Sequence, residues 1–297
     1  MNSQNLVDSD TILQATGIVT EIEAFSGVGD VQATHAERVL SYIRKDLIES
    51  LNMNSHIAGV FCTKELAGDL PENIDKIVCD DPTWAYFSLV DYLAANQIFE
   101  SSIIAPGCIT EGSWIAKNGV EIAPHVRLDP FVSVYEATKI GANSVVRSGA
   151  VLGLDCFQHQ RTSKGIISPR HDGKLDIGEN VEIGAGCAIS RGFSYRNTII
   201  EDEVKIDGHV SIAHGVRIKK GSILCAGVLI LGHSTIGENV FIGPGAVIRN
   251  RVNIGDGARI SIGSVVTQDV PAGETVTGNF AVPHEDWLAF VKKLSSV

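Results

Sequence analysis

Residues 200–266 read IEDEVKIDGHVSIAHGVRIKKGSILCAGVLILGHSTIGENVFIGPGAVIRNRVNIGDGARISIGSVV, and the period of this stretch decides the fold. Stepping by six from Ile200 gives Ile206, Ile212, Ile218, Leu224, Ile230, Ile236, Ile242, Ile248, Ile254, Ile260 and Val266, all branched aliphatics. Four residues after each comes Val204, Val210, Val216, Ser222, Val228, Ser234, Val240, Ala246, Val252, Ala258, Ser264 or Val270, every one small or β-branched. A period of six is neither the 3.6 of an amphipathic helix nor the 2 of a lone half-buried strand. It marks a repeat architecture. A unit with one large and one small inward residue is a flat strand plus a turn, and three such units close a triangular coil of 18 residues. Stacked coils pair as parallel strands about 4.8 Å apart around a dry interior.

The ruler also runs through Ile177, Ile183 and Ile189, through Ile122, Leu128, Val134, Ile140, Val146 and Leu152, and through Ile103, Ile109 and Ile115. Its breaks fall at a short insertion near Arg191 to Tyr195 and a longer polar one from Gln158 to Lys174. Insertions into a solenoid loop outward and often build its binding face. The chain is expected to divide into a small α/β domain (1–100), the solenoid (101–275) and a terminal segment with a short helix (276–297). In the first part, Ala36 to Met53 is expected to be helical, His56 to Thr63 and Lys76 to Cys79 to be strands, and Asp81 to Ala95 to be a helix opened by Asp-Pro. Asp286 to Leu294, after Pro283, reads as a short amphipathic helix with Lys292 and Lys293 in its last turn.

Composition sets the outer limits. The 297 residues are 44% hydrophobic and 20% charged, enough apolar material for a core. Thirty glycines against nine prolines fit many tight turns, and only 6% aromatics fit a narrow core of Ile and Val. A net charge of −11 argues against a nucleic-acid backbone or an anionic membrane as the main partner. The longest apolar run, Ile223 to Leu231, is far short of the roughly 20 residues that span a bilayer. The opening MNSQNLVDSD lacks a signal-peptide pattern, so the expected compartment is the cytoplasm. The six cysteines form no CxxC pair or other ligand spacing, which fits reduced thiols and argues against a metal site.

Chemistry must come from outward-facing residues. In Lys205 to Gly215, KIDGHVSIAHG, the side chains of Asp207, His209 and His214 fall at turns or outward positions. One coil beyond His214 lies Gly232, which leaves space and a free backbone N–H beside the imidazole. A base for an attacking amine and a donor for an oxyanion are what acyl transfer needs. Asp207 could orient His214 or cap a turn; His209 and His233 could support the site or be solvated. Phe157, Gln158, His159, Arg161, Arg170 and His171 of the long insertion offer an aromatic surface and cations for a phosphate, or a flexible solvated loop. Arg251 could contact the phosphate of an acyl donor or face water. Cys156 and Cys225 read as packing residues.

These features resemble a known family. The six-residue ruler matches the hexapeptide-repeat β-helix, which implies a left-handed coil and homotrimers with active sites between subunits. VEIGAGCAISRG (Val181 to Gly192) and VKIDGHVSIAHGVRI (Val204 to Ile218) are similar to runs of UDP-3-O-acylglucosamine N-acyltransferase, the carrier-protein-dependent enzyme of lipid A biosynthesis. The resemblance implies His214 as general base, Gly232 as oxyanion donor, and Arg191 with Gly192 as the Arg-Gly of the loop before the site. TGNFAVPHEDWL is similar to the family's ending. The sequence departs from the family at Arg251, where a second His is usual, at Cys156 in a G-x-x-G-F run, and at Gly215 in place of Asn. It also lacks the Asn-Pro-x-x-Tyr stretch that grips uridine, where it reads SYIRKDLIESL, and its terminal helix is shorter. The expected activity is therefore N-acylation of another amino sugar, nucleotide-linked. Phe157, Gln158, His159, Arg191 and His209 would bind it, and His233 and Arg251 the donor. Acyl-coenzyme A or an acyl-carrier protein would supply the acyl group, with no permanent cofactor and no metal; the net acidity favours coenzyme A over an acidic carrier protein. O-acetylation on the same machinery and a non-catalytic scaffold are the alternatives.

Overall fold

The computed structural model of the chain describes residues 6–278 and 283–294, apart from the side chains of 287–289 and 294. Asn279 to Val282, within the TGNFAVPHEDWL stretch, lie outside the described residues.

Three parallel sheets of eight short strands each form the walls of a left-handed β-helix. The six-residue ruler and the pairing register agree: Ile200 lies opposite Ile218, Ile218 opposite Ile236, and Ile236 opposite Ile254. All twelve large positions from Ile200 to Val266, and all twelve small ones from Val204 to Val270, are buried in one continuous core. Each fully buried aliphatic of this size contributes roughly 1.5–3 kcal/mol of transfer free energy. The repeat is thus its own source of stability. Where the insertions leave the wall, the register simply resumes: Ile140 pairs with Ile177 and Ile177 with Ile200.

The first coil departs from the expected phase. Ile103 pairs with Glu121 and Ile109 bridges to Arg127, both at outward positions, and they are 65% and 59% exposed. Ile104, not Ile103, faces the inward Ile122, while Ile115 faces Val134 as the ruler requires. A rim coil packs on a neighbour from one side only, so burial holds its phase less firmly than in the middle of the stack.

The N-terminal part is a parallel sheet in the order β1 (Gly27–Val28), β2 (Val39–Tyr42), β3 (Ile57–Cys62), β4 (Asp75–Val78). Helix α1 (Ser9–Thr16) is capped by Asp8, whose carboxylate accepts from the Thr11 N–H. The strands at 57–62 and 75–78 fall where expected, but the helix over Ala36 to Met53 does not form as one piece. Val39 to Ser41 instead make a central strand with three consecutive fully buried side chains, and only α2 (Ile48–Asn52) is α-helical. Apolar residues at Val39, Leu40, Ile43 and Leu47 satisfy helical spacing, yet a strand buried on both faces also reads as a continuous apolar run. Helix α3 (Pro82–Ala95) starts as predicted, with Pro82 in its first turn and the Asp81 carboxylate accepting from the Trp84 N–H at 2.8 Å. Helix α4 (His284–Leu294) carries Lys292 and Lys293 in its last turn.

The long insertion is pinned. Its hairpin, Gln160–Thr162 against Gly165–Ile167, sits on α3: Ser163 N–H donates to Asp81 at 2.6 Å and Arg170 N–H to Asp91 at 2.9 Å. Lys164 stands over the Trp84 ring. These contacts bring the N-terminal domain and the insertion together over one wall of the solenoid.

Candidate active site

A cavity of about 620 Å³ opens where these parts meet. Its floor is three stacked coils, contributing Ser211, Ala213 and His214, then Leu229, Leu231, Gly232 and His233, then Asn250 and Arg251. Its sides come from the N-terminal domain (Asp30, Tyr42, Tyr86, Phe87), the segment leading into the long insertion and its first residues (Cys156 to Gln158, Gln160) and the short insertion (Phe193 to Tyr195).

The coil geometry fixes the centre. His214 occupies the turn after the strand Ser211–Ile212, and Gly232 the same turn one coil on, with His233 N–H donating to the His214 carbonyl at 2.9 Å. A Cβ on Gly232 would stand 2.9 Å from His214 Nε2, so the imidazole occupies the space a side chain would need. Among the described residues, the Gly232 N–H donates to no acceptor. Gly215 has φ 67°, and a Cβ there would meet His233 Nδ1 at 2.8 Å. Glycine at this departure from the family pattern makes room for the His233 ring.

Around His214, itself buried, the site is ringed by aromatic side chains. His233 lies edge-on at 4.9 Å between centroids, His171 at 5.4 Å and Phe193 at 5.8 Å, and Tyr195 stacks on His233 at 5.4 Å. Burial, with Arg251 nearby, pushes the His214 imidazole down to about 4, and burial, reinforced by His214 and Arg251, pushes His233 down to about 3. Both rings are neutral at physiological pH, as a proton acceptor must be.

What faces the far side of His214 is not the expected carboxylate. Asp207 is exposed one turn earlier, its carboxylate accepting from the Gly208 N–H at 2.7 Å, and makes no contact with His214 among the described residues. Cys156 Sγ lies 3.0 Å from His214 Nδ1 and 3.5 Å from His171 Nε2, and the Cys156 N–H donates to His171 Nε2 at 3.4 Å. His171 Nε2, taking that N–H, is the unprotonated nitrogen and accepts from the thiol as well. Sγ then accepts from the His214 Nδ1–H, which leaves the Nε2 lone pair turned to Gly232. Cys156 is therefore more than packing. Its place in the G-x-x-G-F run was the signal available, but nothing in the sequence joined it to His171, 15 residues on.

The other expected site residues divide. Phe157 and Gln158 line the cavity; Phe157 is 82% exposed and meets the His159 ring edge-on at 4.5 Å. His159 Nδ1 bonds Ser168 Oγ at 2.7 Å, and Arg161 is exposed, outside the cavity. Arg191 does not reach the cavity: its Nε bonds Asp155 at 3.0 Å and its guanidinium donates to the His171 carbonyl, so it braces the two insertions. His209 sits in an exposed turn over Gly186, away from the cavity. His171 is fully buried and Arg170 pairs with Asp91 at 3.7 Å, so neither offers a free cation. His233 and Arg251 do line the cavity, and Arg251 is held by Asp30 at 2.6 Å, across to the N-terminal domain. Tyr42, from the segment aligned with the missing uridine-gripping stretch, supplies an aromatic ring to the wall all the same.

Cys156, His171 and His214 also bring a thiol and two imidazole nitrogens within 4.8 Å of one another, a donor set suited to a metal.

Comparison with known proteins agrees with this architecture. A family described as "Bacterial transferase hexapeptide (six repeats)" matches residues 233–268. UDP-3-O-acylglucosamine N-acyltransferase of Bordetella pertussis is 35% identical over 167 residues, 54% of this chain and 45% of that protein. The Rickettsia massiliae protein of the same name is 42% identical over 162 residues, 54% of this chain and 46% of its own length. The chain spans about half the length of the curated relatives it matches. The structure of LpxA from Acinetobacter baumannii superposes with a TM-score of 0.51 at 25% identity, over 64% of this chain and 76% of that one.

Proposed function

We propose that this chain transfers an acyl group from a thioester to the amine of a nucleotide-linked amino sugar, with His214 as general base. The observation that carries the reading is the pairing, inside one cavity, of a buried neutral imidazole with a side-chain-free turn one coil away. His214 Nε2 takes a proton from the amine as its nitrogen attacks the thioester carbonyl. The Gly232 N–H stabilises the oxyanion. Collapse of the tetrahedral intermediate restores the carbonyl and expels the thiolate, which takes the proton from the imidazolium. Relatives named for N-acyl transfer to UDP-linked acylglucosamine support an amino-sugar nucleotide as acceptor.

Tyr42, Phe87 and Phe157 give the cavity aromatic faces on which a nucleobase can stack. The leaving thiol is that of coenzyme A or of a carrier protein's pantetheine, and no permanent cofactor enters the scheme. We expect a cytoplasmic homotrimer.

The test is mass spectrometry of reactions with a panel of amino-sugar nucleotides and short- and long-chain acyl thioesters. An amide product that disappears in His214→Ala is expected. Products only on hydroxyl acceptors would turn the reading to O-acylation, and none on any acceptor would leave a non-catalytic scaffold.

A further inference from the structure

We infer that Cys156, His171 and His214 form a binding site for a soft divalent transition ion, zinc being the natural fit. A tetrahedral ion bound through sulfur at about 2.3 Å and nitrogen at about 2.0–2.1 Å holds those two donors about 3.6 Å apart. Cys156 Sγ stands 3.0 Å from His214 Nδ1 and 3.5 Å from His171 Nε2, and all three donors lie within 4.8 Å of one another. Shifts of about half an ångström bring the two sulfur–nitrogen separations to about 3.6 Å, and the two imidazole nitrogens, within 4.8 Å of each other, need to close by at most about 1.5 Å to the roughly 3.3 Å that two nitrogen ligands of a tetrahedral ion keep.

The surroundings favour the same reading. The donors come from three separate pieces of chain: the segment leading into the long insertion, the end of that insertion, and the wall. Arg191 locks the first two together through Asp155 and the His171 carbonyl. His171 Nδ1 is buried with no hydrogen-bond partner, 3.8 Å from the Asp155 carboxylate. A carboxylate behind the free nitrogen of a ligating imidazole is the usual support of a metal-bound histidine. A thiolate and two imidazoles select zinc over magnesium or calcium, which prefer oxygen donors. Cys156 and His214 line the cavity, so a fourth position is reachable from it.

Binding has a defined proton balance. The Cys156 thiol becomes a thiolate and releases one proton, and the His214 proton moves from Nδ1 to Nε2 as Nδ1 takes the ion. His214 then presents N–H where the base needs a lone pair. The site needs only the three side chains; its effect on catalysis, inhibition by zinc, rests on the role proposed above for His214.

The experiment uses the full chain, reduced and stripped of metal, titrated with Co²⁺ as a spectroscopic probe. A sulfur-to-cobalt charge-transfer band with the visible bands of a four-coordinate ion is expected, saturating at one ion per chain. Equimolar Zn²⁺ should bleach it and a large excess of Mg²⁺ should not. Cys156→Gly and Cys156→Ser should abolish the band, and His171→Ala should weaken binding at least tenfold, with circular dichroism reporting that each variant is folded. In the unaltered chain, Zn²⁺ should shield Cys156 from alkylation, located by peptide mass spectrometry; this arm stands if a variant does not fold. Absence of the charge-transfer band, its persistence without Cys156, or alkylation of Cys156 indifferent to Zn²⁺ would overturn the site. None of these readouts depends on acyl transfer, so failure of the functional proposal is seen separately.

Discussion

The repeating wall and the two insertions build the same cavity by opposite means. The wall places His214 and Gly232 in equivalent turns because 18 residues make one coil, and their backbones are tied by the His233 to His214 hydrogen bond. The insertions place Cys156, His171 and Phe193 by contacts that no period predicts: Arg191 to Asp155, Ser163 to Asp81, Ser194 N–H to Asp172. Repetition supplies position; irregular chain supplies environment. It is the insertions that dry His214 and cover its Nδ1 side.

Substitutions can break that contrast at either side. The largest expected effect is His214→Ala, which should lower kcat by about 10³-fold, the weight of a general base, while the melting curve stays near that of the parent. A fall below tenfold would remove the wall from the chemistry. Next is Ile230→Ala, which empties a fully buried core position and should cost about 2–5 kcal/mol by denaturant unfolding. Ile166→Ala, in the exposed hairpin, should cost less than about 0.5 kcal/mol; equal losses would mean the insertion carries the fold. Gly232→Ala puts a methyl against His214 Nε2 and should cut kcat about 10²-fold, the cost of a misplaced catalytic group, and a steady-state assay with an unchanged rate would free Gly232 of any role.

A pH series tests the dryness the insertions create. In metal-free protein, His214, His233 and His171 titrate near 6.5 when unfolded but at about 4, about 3 and about 4 when folded, chiefly through burial. The unfolded chain therefore binds more protons as pH falls, so their stability contribution is full above pH 6.5 and is lost toward pH 4. Asp172, raised by burial to about 6, pulls the other way. The net loss between pH 7 and pH 5 should be about 4 kcal/mol, read from urea midpoints; a midpoint that rises on acidification would contradict buried neutral rings. The smallest effect is expected for Asp207→Asn, which should change kcat less than about twofold, since its carboxylate bonds only a turn amide and surface substitutions of this kind are near neutral.

The same contrast explains what the sequence disclosed. Every inward residue from Ile200 to Val270 was legible because burial repeats with the period, and His214 beside Gly232 followed from counting one coil. Phase was lost at Ile103 and Ile109, where the rim relaxes the constraint. The strand at Val39–Tyr42 was hidden because Val39, Leu40, Ile43 and Leu47 fit helical spacing while the same run also reads as a buried strand. Asp207 was attractive by proximity in sequence, but seven residues along a six-residue repeat is the next corner of the triangle. Cys156 and His171 were named without being joined, since their meeting depends on how the long insertion folds back onto helix α3.

In its own wall the strand at Ser211–Ile212 has four strands on one side and three on the other. A solenoid opens by fraying from its ends, because each rung is held only by its neighbours. The rungs bearing His214 and Gly232 are thus among the last to loosen, and the amide protons of Ile212 and Ile230 should exchange only with global unfolding while those of the rim strands escape early. Mid-stack placement keeps the reacting geometry insulated from the molecule's most frequent motions.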